Sequence, residues 1–406
     1  MNERAQDERT GIVLSGGGAK GAFELGVMQA LFEGKSSATG GRPISPGIYT
    51  GTSVGAINAA QIVSQTGVSA LDALANLERI WLEVIANAPG RCGNGVFRFR
   101  AVPMALFEPS CLLHPLDQLE SFGRDFAFLS VQSAVRGVAF LASDRPFVAR
   151  AIDSFDLAAF VSNEPLRELL QDHVSLDGLR ATKKKLAIIA SNFKSGAPRL
   201  FSQIDIADNF GPTALLASAS LPGFFPPVDI GGVPYVDGGL TINTPLKPAI
   251  QLGATILHVI YLDPLMPDIP FPRLPNTVET MYRMYAILIS DNFRTDLERA
   301  DAVNLEIIRA RAGAEPIGKL AVELDKRQRK GRPYRPLIVH RYRPRTDLGG
   351  GLGLLNFDID NIRRQIAEGY SVAEEHDCSE AGCLLPPEEE PVSKALETAA
   401  PGRRQR

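Results

Sequence analysis

Short apolar runs alternate with helical stretches over the first part of the chain, and this alternation limits the fold more than any other feature. Thr10–Leu14 is a β-type run that ends in Ser15-Gly16-Gly17-Gly18, and a helical stretch follows over residues 19–32. A second run over 47–51 turns sharply into a helical stretch over 53–64. Strands that alternate with helices pair in parallel, because each connecting helix crosses a face of the sheet. The sequence therefore predicts an α/β fold with helices on the faces of a mainly parallel sheet.

Later segments extend this pattern. The predicted elements are strands at 186–190, 234–236, 255–262 and 337–342, a hairpin return at 199–202, and helices at 213–220, 277–299 and 359–374. Residues 70–175 fit either an irregular lid or an ordinary helical insertion packed on the sheet. Gly21 and Gly26 lie inside the first helical stretch at a cost of ~1 kcal/mol each, so we expect a neighbouring backbone to pack closely there. Hydrophobic residues make up 45% of the chain and charged residues 22%, which is typical of a globular protein and excludes a coiled coil.

The glycine-rich turn Gly16-Gly17-Gly18-Ala19-Lys20-Gly21 is compatible with three kinds of anion site. A dinucleotide site needs an acidic residue ~20 residues further on, but no Asp or Glu lies between Glu33 and Asp72. A P-loop needs lysine at position 22, where Ala22 stands. The third kind is an oxyanion hole, in which successive backbone N–H groups at a helix N-terminus bind negative charge. The turn by itself does not choose among them.

A second motif, Gly51-Thr52-Ser53-Val54-Gly55, lies between a predicted strand and a predicted helix. This G-x-S-x-G context is typical of a nucleophile elbow, because a serine on a strained turn needs glycine neighbours that keep side chains away. The following helix N-terminus would stabilise negative charge at the hydroxyl oxygen. The alternative interpretation is that Ser53 only caps the helix.

A nucleophilic serine needs a base, and the five histidines of the chain are poor candidates. They are His114, His173, His258, His340 and His376, and none lies in a glycine-bearing loop of the kind that presents a catalytic imidazole. Asp237 ends an apolar run and precedes Gly238 and Gly239, so a tight turn would hold its carboxylate at a strand end. A carboxylate partly removed from water holds a proton more tightly and can serve as a base. Taken alone, the Asp-Gly-Gly string is equally typical of a surface turn.

The order of these motifs along the chain adds a further signal. The matching strings are Gly16-Gly17-Gly18-Ala19-Lys20-Gly21, Gly51-Thr52-Ser53-Val54-Gly55, Ala217-Ser218-Ala219-Ser220-Leu221-Pro222-Gly223-Phe224-Phe225-Pro226-Pro227-Val228, Asp237-Gly238-Gly239 and Asn243-Thr244-Pro245-Leu246. Together they closely resemble the patatin-like phospholipase family, in particular its bacterial branch, over about residues 11–260. The segment 355–370 resembles the end of many bacterial members. Asn192 is a departure, since many relatives have an acidic residue there.

The resemblance implies a three-layer α/β/α patatin-like fold and a lipid acyl hydrolase that uses a Ser-Asp dyad without a catalytic histidine. Ser53 would be the nucleophile and Asp237 the base. Amides of Gly16, Gly17 and Gly18 would bind the oxyanion, with the Val54 amide as a further donor. Gly21, Gly51, Gly55, Gly238 and Gly239 would support the motifs, and Lys20 would position the first loop or contact a lipid head group. No cofactor is implied.

Two other functions stay open. The first is an α/β-hydrolase esterase with a Ser-His-Asp triad, which would make one of the histidines essential. The second is a patatin-like scaffold that binds lipid or a partner without turnover, although the presence of both Ser53 and Asp237 argues against it.

The sequence also suggests a domain division. We expect a disordered leader over 1–10, a patatin-like catalytic domain over 11–250 that contains the 70–175 insertion, an extension over 251–376 that completes the domain, and a disordered tail over 377–406. The tail is acidic, contains proline and has few apolar residues.

Charge and hydropathy give the remaining expectations. The net charge of −3 does not favour nucleic-acid binding. Nine Lys and Arg and no acidic residue lie within 326–345, a basic segment that could contact an anionic membrane or simply be solvated. Without a signal peptide or an uninterrupted apolar run of ~18–20 residues, we expect a cytoplasmic protein, possible contact with a membrane being peripheral. Cys92, Cys111, Cys378 and Cys383 show no metal-ligand spacing, so free thiols and no metal are expected.

Overall fold

The computed structural model describes residues 9–87, 93–100, 115–154, 161–264, 300–307, 336–349 and 353–385, with a few single positions between 280 and 298. Several predictions lie outside the described residues: most of the leader, most of the 277–299 helix, residues 326–335 of the basic segment, and the tail from residue 386.

A mainly parallel sheet forms the centre of the described structure. Its strands are β1 (Thr10–Leu14), β2 (Ile48–Thr52), β5 (Lys185–Asn192), β6 (Pro198–Ser202), β7 (Val228–Ile230), β8 (Val233–Asp237), β9 (Ile256–Ile260) and β10 (Ile338–Tyr342). The spatial order is β10-β9-β1-β2-β5-β8-β7, with β6 also paired to β5. Strands β10, β9, β1, β2 and β5 run parallel, whereas β6, β7 and β8 pair antiparallel. A separate short pair joins β3 (Arg98–Phe99) and β4 (Val161–Ser162).

Helices cover both faces of this sheet. They are α1 (Ala22–Phe32), α2 (Val54–Ser64), α3 (Ala70–Ile80), α4 (Pro115–Ala142), α5 (Phe147–Ser154), α6 (Glu164–His173), α7 (Leu176–Ala181), α8 (Thr213–Ser218), α9 (Leu246–Leu252) and α10 (Ile359–Glu374). A 3₁₀ turn over Gly18–Gly21 precedes α1, and a π-helical turn over Trp81–Ile85 follows α3.

The alternation of side chains along β1 separates two hydrophobic cores. Ile12 and Leu14 belong to the larger core, which α1, α2, α8 and α10 cover. Val13 points into a second core with Leu246 and Ala249 of α9. A strand buried on both faces is typical of a parallel sheet between helical layers. The predicted α/β/α architecture with a mainly parallel central sheet is therefore confirmed.

Helices α1 and α10 approach each other closely at two glycines. A Cβ atom added at Gly26 would lie 1.9 Å from the backbone oxygen of Ile366, and one added at Gly369 would lie 2.1 Å from the backbone oxygen of Phe23. No side chain fits in either gap. The expectation that Gly26 admits a neighbouring backbone is confirmed, and that backbone belongs to α10. The same expectation is wrong for Gly21, where the nearest atoms belong to the Val54 side chain.

The insertion and the tail differ in part from the sequence-based expectation. Helices α3 and α6 contribute buried residues to the large core, so part of the insertion belongs to a packed layer. Residues 377–385, assigned above to a disordered tail, form a turn whose end bridges β10 through Val339 and Leu384. The Phe122–Ala142 part of α4 is long and apolar enough to cross a membrane by length and composition alone, with 6% of that window buried. Arg124, Asp125 and Arg136 interrupt this stretch, so it contains no unbroken apolar run of that length.

The close contact between α1 and α10 gives a test of the packing. Gly26→Ala should lower the free energy of unfolding by ~1–3 kcal/mol, because the added methyl group must push two helices apart. The gain in helix propensity, ~1 kcal/mol, opposes this loss. Gly137→Ala is the matched control, since open space surrounds Gly137 in α4 and the substitution should stabilise the protein slightly. Urea unfolding of both variants measures the difference, and equal stabilisation by both would contradict the packing.

Candidate active site

Ser53 stands at the junction of β2 and α2 in a strained backbone conformation. Its φ and ψ are 55° and −124°, and it is the one non-glycine residue with positive φ in the described part of the chain. Such a conformation costs ~1–3 kcal/mol and persists only where the surroundings impose it. A Cβ at Gly51 would lie 2.3 Å from the Gly55 oxygen, and a Cβ at Gly55 would lie 2.7 Å from Leu14. The two glycines of the G-x-S-x-G motif are thus required by close backbone packing.

A hydrogen bond from the turn itself helps to hold Ser53. The Ser53 backbone N–H donates to Ser218 Oγ at 3.0 Å, and Ser218 Oγ donates to the Ile189 oxygen at 2.5 Å. Ser218 is the last residue of α8 and fully buried. Ser218 lies in one of the strings that resemble the family, but no role was predicted for it. Its signal in the sequence is a hydroxyl group among small apolar residues.

Asp237 is held at the end of β8, two strands from Ser53. β8 pairs with β5 at Ala190, and the preceding Ile189 of β5 pairs with Thr52 of β2. Asp237 is 1% exposed, and its Oδ1 accepts a hydrogen bond from the Gly239 N–H at 2.7 Å. Its own backbone N–H donates to the Ser220 oxygen at 2.9 Å. The carboxylate is therefore buried and fixed by the turn that follows the strand, as the Asp-Gly-Gly string predicted.

The glycine-rich turn presents fewer amides to the site than the sequence suggested. The Gly16 N–H donates to the Asn243 backbone oxygen at 3.2 Å, and the Gly16 oxygen accepts from Asn243 Nδ2 at 3.3 Å. Its amide is consequently engaged inside the protein. Gly17 and Gly18 line the cleft next to Ser53, and their N–H groups have no acceptor among the described residues. Asn243, like Ser218, lies in a matching string, but its clamp on Gly16 was not predicted.

Lys20 is completely buried behind this turn. Its Nζ lies 2.7 Å from Asp263 Oδ1 and 3.7 Å from Asp347 Oδ1. An ammonium group with no exposed surface contacts these carboxylates and not a lipid head group. Of the two roles considered for Lys20, the contacts favour positioning of the loop.

A buried polar network below the turn connects α1, α2 and the π-helical turn. Asn58 Nδ2 donates to Glu24 Oε2 at 2.8 Å and to the Gly21 oxygen at 3.2 Å, while Trp81 Nε1 donates to Asn58 Oδ1 at 2.9 Å. Burial raises the pKa of Glu24 well above its ordinary value, and the hydrogen bond from Asn58 opposes this only in part. Burial therefore favours the protonated form of Glu24. This network was not predicted from the sequence. Its one signal there is a set of polar residues on helix faces, and those faces are buried in the fold.

Ser53 and Asp237 line the same cleft. Apart from the glycine turn, its wall is almost entirely apolar. The apolar lining residues are Val54, Ile57, Trp81, Ile85, Val96, Phe97, Leu166, Ala219, Leu221, Phe224, Phe225, Leu354, Leu355 and Phe357. They come from α2, the insertion, the 219–225 segment and the stretch before α10, so all four segments complete the site.

No histidine among the described residues lines this cleft. His258 and His340 lie side by side on β9 and β10, and His258 Nδ1 is 3.0 Å from Tyr342 Oη. Burial lowers the pKa of His258 well below its ordinary value and that of His340 to about 4. His173 ends α6, and His114 lies outside the described residues. The structure therefore gives no support to a histidine base at Ser53.

Comparison with known protein families agrees with this geometry. Residues 12–250 match the family model described as patatin-like phospholipase. This chain belongs to the patatin-like phospholipase family. Members of the family act as lipid acyl hydrolases in general. The match ends before β9, although β9 and β10 complete the sheet of this patatin-like protein.

Comparison with individual proteins adds little. VipD from Legionella pneumophila is similar to 90% of this chain at 16% identity and a TM-score of 0.36, and the aligned part is 66% of VipD, just under two thirds. That similarity is too weak to carry an argument about function. No curated protein matches the chain.

The family departure at Asn192 has a local structural counterpart. Asn192 Oδ1 accepts hydrogen bonds from the N–H groups of Lys194 and Ser195 at 3.0 and 3.1 Å. The amide oxygen therefore anchors the turn between β5 and β6, a task that either side chain performs with an oxygen acceptor.

The buried Glu24 gives a pH test of the network. A carboxyl whose pKa is raised by folding contributes stability below its unfolded pKa and loses it as pH rises through the folded value. Between pH 5 and 8, wild type should therefore lose stability relative to Glu24→Gln, by up to ~1.4 kcal/mol per pH unit. Glu168→Gln, the same substitution at an exposed position in α6, is the matched control. Denaturant unfolding across this pH range makes the comparison, and parallel curves for wild type and Glu24→Gln would contradict a raised pKa of Glu24.

Proposed function

We propose that this protein hydrolyses carboxylic esters of lipids, with Ser53 as nucleophile and Asp237 as general base. The observation that carries the proposal is the single apolar cleft onto which the strained Ser53, the buried Asp237 and the Gly17-Gly18 turn all open. Acyl chains are apolar, and the cleft wall offers them little besides apolar side chains. Phospholipase A and lysophospholipase chemistry both fit this site.

In the first step, Ser53 Oγ attacks the ester carbonyl carbon while its proton passes to Asp237. The Gly239 N–H donates to Oδ1 of Asp237 and so orients the carboxylate that receives the proton. Negative charge develops on the carbonyl oxygen, where the Gly17, Gly18 and Val54 amides would donate. One such donor typically contributes ~3–4 kcal/mol to the stabilisation of the transition state.

The tetrahedral intermediate then collapses. The carbon–oxygen bond to the alcohol or lysolipid breaks, and the leaving oxygen takes the proton from Asp237. Water attacks the acyl-serine and gives its proton to Asp237, and a second collapse returns that proton to Ser53 Oγ and releases a fatty acid. Protons and charge balance over the cycle, so the chain's own residues suffice.

Activity measurements on purified variants test this assignment. Ser53→Ala and Asp237→Asn should each lower kcat for a short-chain p-nitrophenyl ester by at least ~10³-fold while the protein remains folded. Single replacements of the five histidines should spare the chemistry, because none in the described region lines the cleft. An essential histidine would favour the triad esterase, and full activity of Ser53→Ala would refute the proposal.

Covalent labelling separates an enzyme from a non-catalytic scaffold. A fluorophosphonate probe should modify wild type at Ser53, because it captures a serine already activated for attack. Ser218→Ala removes the acceptor of the Ser53 N–H and should slow labelling without abolishing it. An unlabelled, folded wild-type protein would support the scaffold.

We further propose that α4 is the surface that meets lipid, as a peripheral contact. Val131, Val135 and Val138 follow helical spacing and are 63%, 62% and 67% exposed. Basic groups at the end of the 326–345 segment are instead engaged within the protein. Arg343 donates to the Asp263 oxygen, and Arg345 pairs with Glu375. The described end of that segment thus offers a membrane less charge than the sequence suggested.

Substitutions on α4 should separate lipid access from chemistry. The double variant Val131→Asp/Val135→Asp should lower activity on phospholipid vesicles by at least ~10-fold, because burying a carboxylate among acyl chains is costly. Activity on a soluble ester should stay near wild type. Ser133→Asp adds one charge on the opposite face of the helix and should have a smaller effect. If the double variant hydrolyses vesicles as well as wild type, α4 is not the lipid-facing surface.

A further inference from the structure

Two histidines and two cysteines converge at the edge of the sheet, away from the cleft. Cys378 Sγ lies 3.4 Å from His340 Nδ1 and 3.5 Å from His376 Nε2, and Cys383 Sγ lies 3.3 Å from His376 Nε2. One potential ligand atom from each residue falls within 4.8 Å of all the others. The two histidines are buried and the two thiols are partly buried. Both cysteines are free.

The backbone brings these four residues together from distant parts of the chain. His340 lies on the edge strand β10, and His376 follows the end of α10. The turn that carries Cys378 and Cys383 returns to β10, where Val339 and Leu384 exchange backbone hydrogen bonds of 2.8 and 2.9 Å. The site therefore joins a strand, a helix end and a turn.

Three of the six distances between the ligand atoms fit tetrahedral zinc. With Zn–S near 2.3 Å and Zn–N near 2.0–2.1 Å, a tetrahedral N–Zn–S angle separates nitrogen from sulfur by ~3.5 Å. The three observed N···S distances of 3.3–3.5 Å agree with that separation. Two thiolates and two imidazoles are also a donor set that zinc prefers over harder cations.

We propose that His340, His376, Cys378 and Cys383 form a structural Zn²⁺ site. On binding, Zn²⁺ takes the Nδ1 lone pair of His340, the Nε2 lone pair of His376 and both cysteine sulfurs as thiolates, and the two thiol protons pass to solvent. The four protein ligands leave no open position, which is typical of a structural site and not of a catalytic one.

Neighbouring aromatic groups already orient the two imidazoles. The His258 ring stacks on His340 at 5.1 Å between centroids, and the Tyr342 ring lies 4.6 Å from that of His376. The Ser37 hydroxyl donates a hydrogen bond to the His376 backbone oxygen. Contacts of this kind fix ligand orientation before the metal binds, which strengthens binding.

The site would fasten the 377–385 turn to the edge of the sheet. β10 is the last strand on its side of the sheet in the described structure, and the 377–385 turn covers part of it. The same metal would hold the C-terminal end of α10, and Leu354, Leu355 and Phe357 line the cleft just before that helix begins. Zinc would thus stabilise the layer that completes the active site without taking part in ester hydrolysis.

The sequence pattern was not recognised because the ligands are separated. His376, Cys378 and Cys383 form H-x-C-x₄-C, whereas His340 lies on a strand before a predicted helix. The spacing of the cysteines alone does not include the two histidines. Only the fold places them together.

Zinc stoichiometry of the full chain tests the site directly. Protein incubated with Zn²⁺ and passed through gel filtration should retain about one zinc per chain by atomic mass spectrometry. Cys378→Ser/Cys383→Ser should lose the metal, whereas the matched control Cys92→Ser/Cys111→Ser should retain it. Unlike the double serine variant, the single variant Cys383→His still offers four zinc ligands and should retain the metal. Replacing zinc with Co²⁺ in wild type should give a thiolate-to-cobalt absorption band.

Two results would overturn the proposal, and neither depends on a variant that folds. One is wild-type protein that retains no zinc after supplementation under reducing conditions. The other is cobalt-loaded protein without a thiolate band. A Cys378–Cys383 disulfide would be an alternative assignment for the pair. It would appear as a mass 2 Da below that of the reduced chain, and samples treated with reductant would still take up no zinc. Esterase activity plays no part in these readouts, so they stand apart from the proposed function.

Discussion

The left-handed backbone at Ser53 is the constraint on which the rest of the site depends. Nothing in a serine favours a φ of 55°, so the surroundings must impose it. Glycines at 51 and 55 remove the side chains that would collide, and Ser218 accepts the Ser53 N–H. Sheet pairing then carries Asp237 to the same cleft. The strain is therefore supported by β2, α2, α8 and β5 together.

Local patterns in the sequence were sufficient for the central architecture. Both Thr10–Leu14 and the helix over 359–374 were predicted with their observed bounds. The G-x-S-x-G string gave the turn at Ser53 because its chemistry is contained in five adjacent residues. The expected helix over 19–32 instead begins with a 3₁₀ turn over Gly18–Gly21, since three glycines favour a turn over regular helix.

Contacts between distant segments could not be predicted in the same way. The bond from Ser53 to Ser218 spans 165 positions, and that from Asn243 to Gly16 spans 227. No local period encodes them. Burial posed a similar problem for Glu24, because a helical carboxylate is ordinarily solvated. The exposed apolar residues of α4 were not predicted either, because three charged residues interrupt the apolar stretch Phe122–Ala142.

The paired glycines of α1 and α10 have a consequence for how the chain can be divided. The family match ends at residue 250, yet α1 meets its closest neighbour at residues 366–370. β9, which pairs with β1, also lies beyond that limit, as does Leu354, whose oxygen accepts the Ala19 N–H next to the glycine-rich turn. A fragment cut at the family boundary would open one side of β1 and uncover α1. The part of the chain that matches the family is therefore shorter than the part that must fold together. A fragment meant for expression should include the whole of the longer part.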